Sequence, residues 1–327
     1  MPTADSHDPA GQGRRRLGIG LAALGRPAYI TAGRAALGAR RSVDDMGNRT
    51  FAVLDAAYAA GVRYVDVARS YGRAEEFLGA WLAARPEADD VEIGSKWGYR
   101  YTGDWRMDAE VHEWKDHSLP TFREQWAKTS ALLGDRVGVY HVHSATPDTG
   151  VLDDAELHGA LAQLRDQGVR VGISTSGPRQ GDAVRRALEV TVGGAPLFTS
   201  FQSTWNPLEP SAEPALAEAA AAGARVIVKE AVANGRLAPG GADSPGARRA
   251  VDLAAGLGTT VDTLATAAAL ARPWAWRVLS GAVDPAQLAS NVAAAELAVP
   301  AEVADELASL AEDPATYWAA RSARPWT

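Results

Sequence analysis

Hydrophobic and polar positions along this chain alternate between two patterns. Short runs rich in β-branched and aromatic residues fall at 16–20, 63–66, 91–95, 137–142, 169–173, 198–202, 225–228 and 277–280. Between them lie longer stretches with helical spacing, at 44–60, 73–84, 120–133, 154–167, 178–188, 211–222, 259–271 and 285–296. Strand-length runs separated by helix-length ones predict βα units and a parallel sheet. Three helix-to-strand joints repeat one device: Ala60-Gly61-Val62-Arg63, Gln167-Gly168-Val169-Arg170 and Ala222-Gly223-Ala224-Arg225. A glycine just past a helix can take the left-handed conformation that turns the chain into the next strand. Eight such pairs predict one (β/α)8 TIM barrel over residues 14–327, with a last helix at 301–311 outside it and a disordered tail at 1–13.

Composition narrows the function. The chain has 327 residues, and 46% of them are hydrophobic, enough for a large core in a single domain. Its formal charge is −7, without a basic stripe, which argues against nucleic acid or an anionic membrane as partners. The absence of cysteine excludes disulfides, thiolate metal sites and cysteine nucleophiles. The basic residues at 14–16 lead only into LGIGLAALG, which Pro27 interrupts, so no secretory signal is read there. No stretch approaches the ~18 apolar residues that span a bilayer. The expectation is a cytoplasmic protein.

Chemistry concentrates where strands end. Asp66 and Tyr71 lie in YVDVARSY, Lys96 closes VEIGSK, and His143 closes VGVYHVH. A polar residue at the end of several consecutive strands is how such a barrel builds an active site. A tyrosine titrates near ~10 in isolation. A neighbouring ammonium lowers that value, and a carboxylate can hold the ammonium in place. The set suits proton exchange with a carbonyl or alcohol oxygen. Residues 97–118 carry five aromatics in 22 positions, against 7% for the chain, and leave the barrel just after Lys96. Long loops inside compact domains are usually functional. This one predicts a substrate-pocket wall containing Trp97, Tyr99, Trp105 and Trp114.

Other patterns compete. Gly18-Ile19-Gly20-Leu21-Ala22-Ala23 fits a dinucleotide-binding fingerprint by letter, but Arg14-Arg15-Arg16 precedes it where a hydrophobic strand is required. His141 and His143 share one face of a strand, a spacing that metal-dependent barrel hydrolases use, although a zinc site needs further ligands nearby. The histidines of His112-Glu113-Trp114-Lys115-Asp116-His117 are five apart and would face different ways on a helix. At 279–291, Gly281 precedes Asp284-Pro285 and a helix start whose free amides suit a phosphate.

Taken together, these residues resemble the aldo-keto reductase family from about Leu17 to Leu297. The match rests on Asp66 and Tyr71-Gly72 in VDVARSYGRAEEFLG, Lys96 on the third strand, and His143 in VYHVHS. The resemblance implies NAD(P)H-dependent reduction of a small aldehyde or ketone, or the reverse. Tyr71 would be the general acid, Lys96 paired to Asp66 would tune it, and His143 would orient the carbonyl. It also implies cofactor contacts at Ser174, Gln202, Lys229, Gly281, Ala282, Gln287 and Asn291, and no metal. NADP(H) is the expected cofactor, with NAD(H) second. Three departures stand out. Thr175 replaces the family's asparagine after the serine. Lys229-Glu230 replaces the tyrosine that stacks on the nicotinamide and the contact after it. No basic residue lies in SGAVDPAQ. Two rival readings stay open: a metal-dependent hydrolase using His141 and His143, and a cofactor-binding sensor without catalysis. Substrate, reaction direction and oligomeric state are not legible.

Overall fold

The structure is a computed structural model that describes residues 9–30, 38 and 40–326. Along the chain run α1 (Pro9–Arg15), β1 (Leu17–Gly20), α2 (Val43–Ala59), β2 (Tyr64–Asp66), α3 (Ala74–Ala84) and β3 (Glu92–Trp97). A hairpin follows, β4 (Tyr99–Tyr101) and β5 (Glu113–Lys115), then α4 (Leu119–Leu133), β6 (Val137–Ala145), α5 (Ala155–Asp166), β7 (Arg170–Thr175) and α6 (Gln180–Leu188). A second hairpin, β8 (Thr191–Val192) and β9 (Ala195–Pro196), precedes β10 (Ser200–Thr204), α7 (Glu213–Ala221), β11 (Arg225–Lys229), α8 (Pro245–Gly256) and α9 (Val261–Leu270). Last come β12 (Arg277–Ser280), α10 (Pro285–Ala293), α11 (Ala301–Ala308) and α12 (Pro314–Ser322).

Eight of these strands close into a parallel barrel in the order β1-β12-β11-β10-β7-β6-β3-β2. The protein is the (β/α)8 barrel that the alternation predicts. Gly61, Gly168 and Gly223 adopt φ of 89°, 96° and 84°, so the three repeated joints do use the left-handed turn. α2 shows how local chemistry sets an element. Ser42 caps its first amides, and Met46, Thr50, Val53, Leu54 and Ala57 recur on its buried face.

Some expectations change. Residues 9–13 of the expected disordered tail belong to α1, which continues to Arg15. Gly13 of that helix lies so close to Ala295 that a Cβ would come within 2.8 Å of the Ala295 carbonyl. Just beyond the helix, Arg16 bonds the carbonyls of Arg272 and Ala275. Residues 1–8 of the predicted tail lie outside the described residues. The 97–118 segment is a β4–β5 hairpin rather than an open loop, paired from Tyr99↔Lys115 to Tyr101↔Glu113. α8 and α12 were not anticipated.

Candidate active site

Strand alternation decides which side chains reach the barrel interior. Asp66 ends β2, Lys96 lies near the end of β3, and both are buried. Lys96 Nζ donates to Asp66 Oδ1 at 2.5 Å and to the Val67 carbonyl at 2.9 Å. Asp66 Oδ2 accepts from Gln202 Nε2 at 2.7 Å, which ties β10 into the same network. Burial pulls the Asp66 carboxyl up and the Lys96 ammonium down, and their ion pair offsets part of each.

Tyr71 sits above this pair, with Lys96 Nζ 4.8 Å from its ring centre. Its hydroxyl is pushed well above the usual tyrosine value, first by burial and then by Asp66, with Arg26 opposing. The net lowering expected from Lys96 is not seen: burial dominates, and the carboxylate that holds the lysine acts on the hydroxyl in the same direction as burial. Tyr71 is a protonated group across neutral pH. The His143 ring meets Tyr71 edge-on at 5.5 Å and Tyr99 at 4.9 Å. Burial and then Lys96 hold His143 well below its usual value, so it is neutral. His117, itself depressed to about 4 by burial, donates from Nε2 to the His143 carbonyl at 2.8 Å and fixes that strand end.

His141 lies deeper in the barrel. Its Nε2 meets Ser200 Oγ at 2.9 Å, and burial lowers it to about 3. Gly172 makes room for it, since a Cβ there would come within 2.6 Å of the His141 ring. No group of three or more His, Cys, Asp or Glu among the described residues converges as metal ligands do. The place beside the two histidines is held by Lys96.

The aromatic segment divides. Tyr99 belongs to the site through His143. Trp97 does not: it follows inward-pointing Lys96, so it faces outward and packs on Phe122 and His117. Trp105 bonds the Arg41 carbonyl and packs on Phe77, away from Tyr71. Trp114 is half exposed, beside Arg100. Their assignment to a pocket wall is corrected for this reason.

Sequence reasoning missed Arg26, Tyr29, Glu113, Arg321 and Trp326. Arg26 is buried, bonds Glu113 at 2.6 Å and the Ser70 carbonyl at 3.0 Å, and lies 5.3 Å from the Tyr71 ring centre. Tyr29 and Trp326 cover its other sides, each 4.7 Å away. Arg321 of α12 grips both oxygens of Glu230 at 2.5 to 3.1 Å. Although burial pushes the Glu230 carboxyl up, Arg321 and Lys229 hold it well below the carboxylate range. Lys229 donates to Thr204 Oγ1 at 2.7 Å, and burial brings it down to about 8.

A cavity of about 470 Å3 runs from Asp66 and Tyr71 to residues of β12 and α10, and neither Lys96 nor His143 is in its lining. Asp66, Tyr71, Gln202 and Lys229 line one end, and Gly281, Ala282, Gln287 and Asn291 the other. Ser174 is not part of that lining among the described residues; its Oγ accepts from the Ser144 amide. Thr175 points outward to Ser203 and Gln180. Two residues that line the cavity, Asn234 and Asp262, each carry a buried Oδ1 with no hydrogen-bond partner among the described residues. A cavity of this size, with two lining residues that carry unmet acceptors and with Tyr71 in its wall, fits a dinucleotide rich in hydroxyl and amino donors.

A model of the Aldo/keto reductase family matches residues 17–312. Aldo-keto reductase str7 of Strobilurus tenacellus is 31% identical over 127 residues, which is 38% of this chain and 34% of that protein. D-threo-aldose 1-dehydrogenase of a Pseudomonas species is 30% identical over 158 residues, 43% of this chain and 47% of that one. The matched part of the chain thus spans less than half the length of these two relatives. Among solved structures, aldo-keto reductase AKR11C1 from Bacillus halodurans, in its holo form, superposes with a TM-score of 0.68 at 21% identity. That superposition covers 91% of this chain and 92% of the other, and it shows a shared fold.

Proposed function

The chain belongs to the aldo/keto reductase family, and from that premise we propose that it reduces an aldehyde or ketone to an alcohol, or runs the reverse, with NAD(P)H. The observation that carries this reading is the meeting of Tyr71 with the Lys96–Asp66 pair at one end of the cavity. Gln202 and Lys229 would hold the cofactor near that end, and Gly281, Ala282, Gln287 and Asn291 at the other. Once bound there, the dinucleotide supplies a hydride to the carbonyl carbon.

Tyr71 gives its hydroxyl proton to the carbonyl oxygen as the carbon–oxygen π electrons move onto that oxygen. The raised affinity of Tyr71 for its proton keeps it in the acid form until negative charge develops beside it. Lys96, fixed by Asp66 and the Val67 carbonyl, then stabilises the phenolate left behind. Neutral His143 orients the carbonyl oxygen without competing as an acid, and Tyr99 packs against its ring. Arg26, Tyr29 and Trp326 exclude water from the outer side.

The direct test mixes the protein with NADH or NADPH and a panel of aldehydes and ketones, following loss of the reduced-nicotinamide absorbance. Oxidation that depends on the carbonyl compound is expected. Tight dinucleotide binding without turnover on any carbonyl or alcohol would instead leave a binding protein, and the catalytic reading would be withdrawn.

A further inference from the structure

The far end of the cavity has a chemical character of its own. Lys229 is the sole side-chain cation among the described residues that line the cavity, and it lies at the catalytic end. At the other end the one charged lining residue is Asp262. It is 5% exposed and sits in the first turn of α9, where the helix dipole favours negative charge.

Its two oxygens differ. Oδ2 accepts from Asn291 Nδ2 at 2.9 Å, and Asn291 Oδ1 in turn accepts from Ser280 Oγ at 2.7 Å. That chain of bonds fixes the carboxylate and orients the Asn291 amide, which has a second N–H to donate to a ligand. Oδ1 has no hydrogen-bond partner among the described residues. A buried acceptor left unmet is costly, and a donor on a bound ligand removes the cost.

Four amides that would otherwise suit a phosphate here, those of Ala282, Val283, Ala286 and Gln287, already donate within the protein. α10 begins beside the cavity, but Asp284 Oδ1 caps its amides at Ala286 and Gln287, each at 2.9 Å. Gln287 Oε1 accepts from the Val283 amide at 3.0 Å. An incoming phosphate would meet filled amides and a fixed carboxylate, whereas a hydroxyl or amino group would meet an acceptor in need of a proton.

Resting on the reductase reading above, we propose that Asp262 sets cofactor choice, accepting a hydrogen bond from the adenosine half and favouring NAD(H) over NADP(H). This reverses the preference that family resemblance implies. The determinant is a residue of α9, outside the 281–291 segment that the resemblance points to.

The test is a titration of the intact protein with NADH and NADPH, and with ADP-ribose and its 2′-phosphate as probes of the adenosine end alone. The parent should bind NADH and ADP-ribose at least tenfold more tightly than their phosphorylated partners. Asp262→Asn and Asp262→Ser should narrow that ratio at least tenfold, and Gln287→Arg should strengthen the phosphorylated ligands. Thermal melts check that each variant is folded. A parent that prefers NADPH, or a ratio unchanged in folded Asp262 variants, overturns the inference and leaves the reductase reading standing. If neither dinucleotide nor either probe binds the parent, both fall together.

Discussion

The two ends of the cavity are built on opposite principles. At the catalytic end the charged groups are matched: Lys96 with Asp66, Arg26 with Glu113, Glu230 with Arg321. At the other end one carboxylate oxygen is unmet and the helix amides are capped from within. Matched charges hold a reactive group still, so that little reorganisation remains when charge develops. An unmet acceptor does the reverse: it leaves a hydrogen bond for the ligand to complete. One end is finished before anything binds, and the other is finished by binding.

The sharpest break of this contrast is Tyr71→Phe. It removes the proton donor and keeps the ring, so turnover should fall ~10²–10⁴-fold, while dinucleotide dissociation constants stay within a factor of two or so of the parent. Unchanged turnover in this variant would sink the proposed chemistry.

Second in size is the ion pair at the rim. Arg321→Met leaves Glu230 with only Lys229 at 3.7 Å and Thr204 as partners. Truncating one side of a buried pair should cost about 3 kcal/mol of stability, read from urea midpoints. A midpoint equal to the parent's would mean that α12 adds nothing to the rim.

Third is pH. His141 and His117 are depressed to about 3 and about 4, mainly by burial, and His143 lies well below its usual value. Each folded-state value lies below the unfolded one near ~6.5. Their stabilising neutrality is therefore complete above that pH and is lost as pH falls towards the folded values. Each should cost up to ~1.4 kcal/mol per pH unit below ~6.5. Urea midpoints between pH 7 and pH 5 measure the slope, and His141→Asn should reduce it. An identical slope in that variant would show that His141 takes up its proton in the folded chain as readily as in the unfolded one.

The smallest effect concerns Lys229. An ammonium near an oxidised, cationic nicotinamide repels it, by about 4 kcal/mol at 4 Å and an effective dielectric of 20. Glu230 and Thr204 reduce this greatly. Lys229→Tyr should then shift the oxidised-to-reduced affinity ratio towards the oxidised cofactor by less than about tenfold. The same ratio in parent and variant would mean that the lysine's charge never reaches the ring.

The proposed catalytic residues were legible because each lies at or just past a recognisable strand: Asp66, Tyr71, Lys96 and His143 come in barrel order, and alternation aims Asp66, Lys96 and His143 inward. The same alternation contained a warning about Trp97. If Lys96 points in, its neighbour points out, and aromatic enrichment alone hid that. Arg26, Tyr29 and Trp326 were not legible, since a loop and the segment after α12 meet only through tertiary folding. α12 did carry a signal: Asp313-Pro314 repeats the cap of Asp284-Pro285, and both aspartates accept amides in the first turn of their helices. Asp262 was invisible for another reason. An acidic residue in the first turn of a helix is ordinary, and only the bond from Asn291 and the unmet oxygen set it apart.

The barrel closes where β1 pairs with β12, from Leu17↔Val278 to Ile19↔Ser280. Gly20 on one side and Leu279, Ser280 and Gly281 on the other line the cavity. The cavity therefore lies across the seam that joins strands some two hundred and sixty residues apart. Pairing over so long a separation is slow, because loop closure must precede the contacts that reward it. During folding, the paired charges of β2 and β3 can assemble from neighbouring strands while the binding cleft still has only one wall.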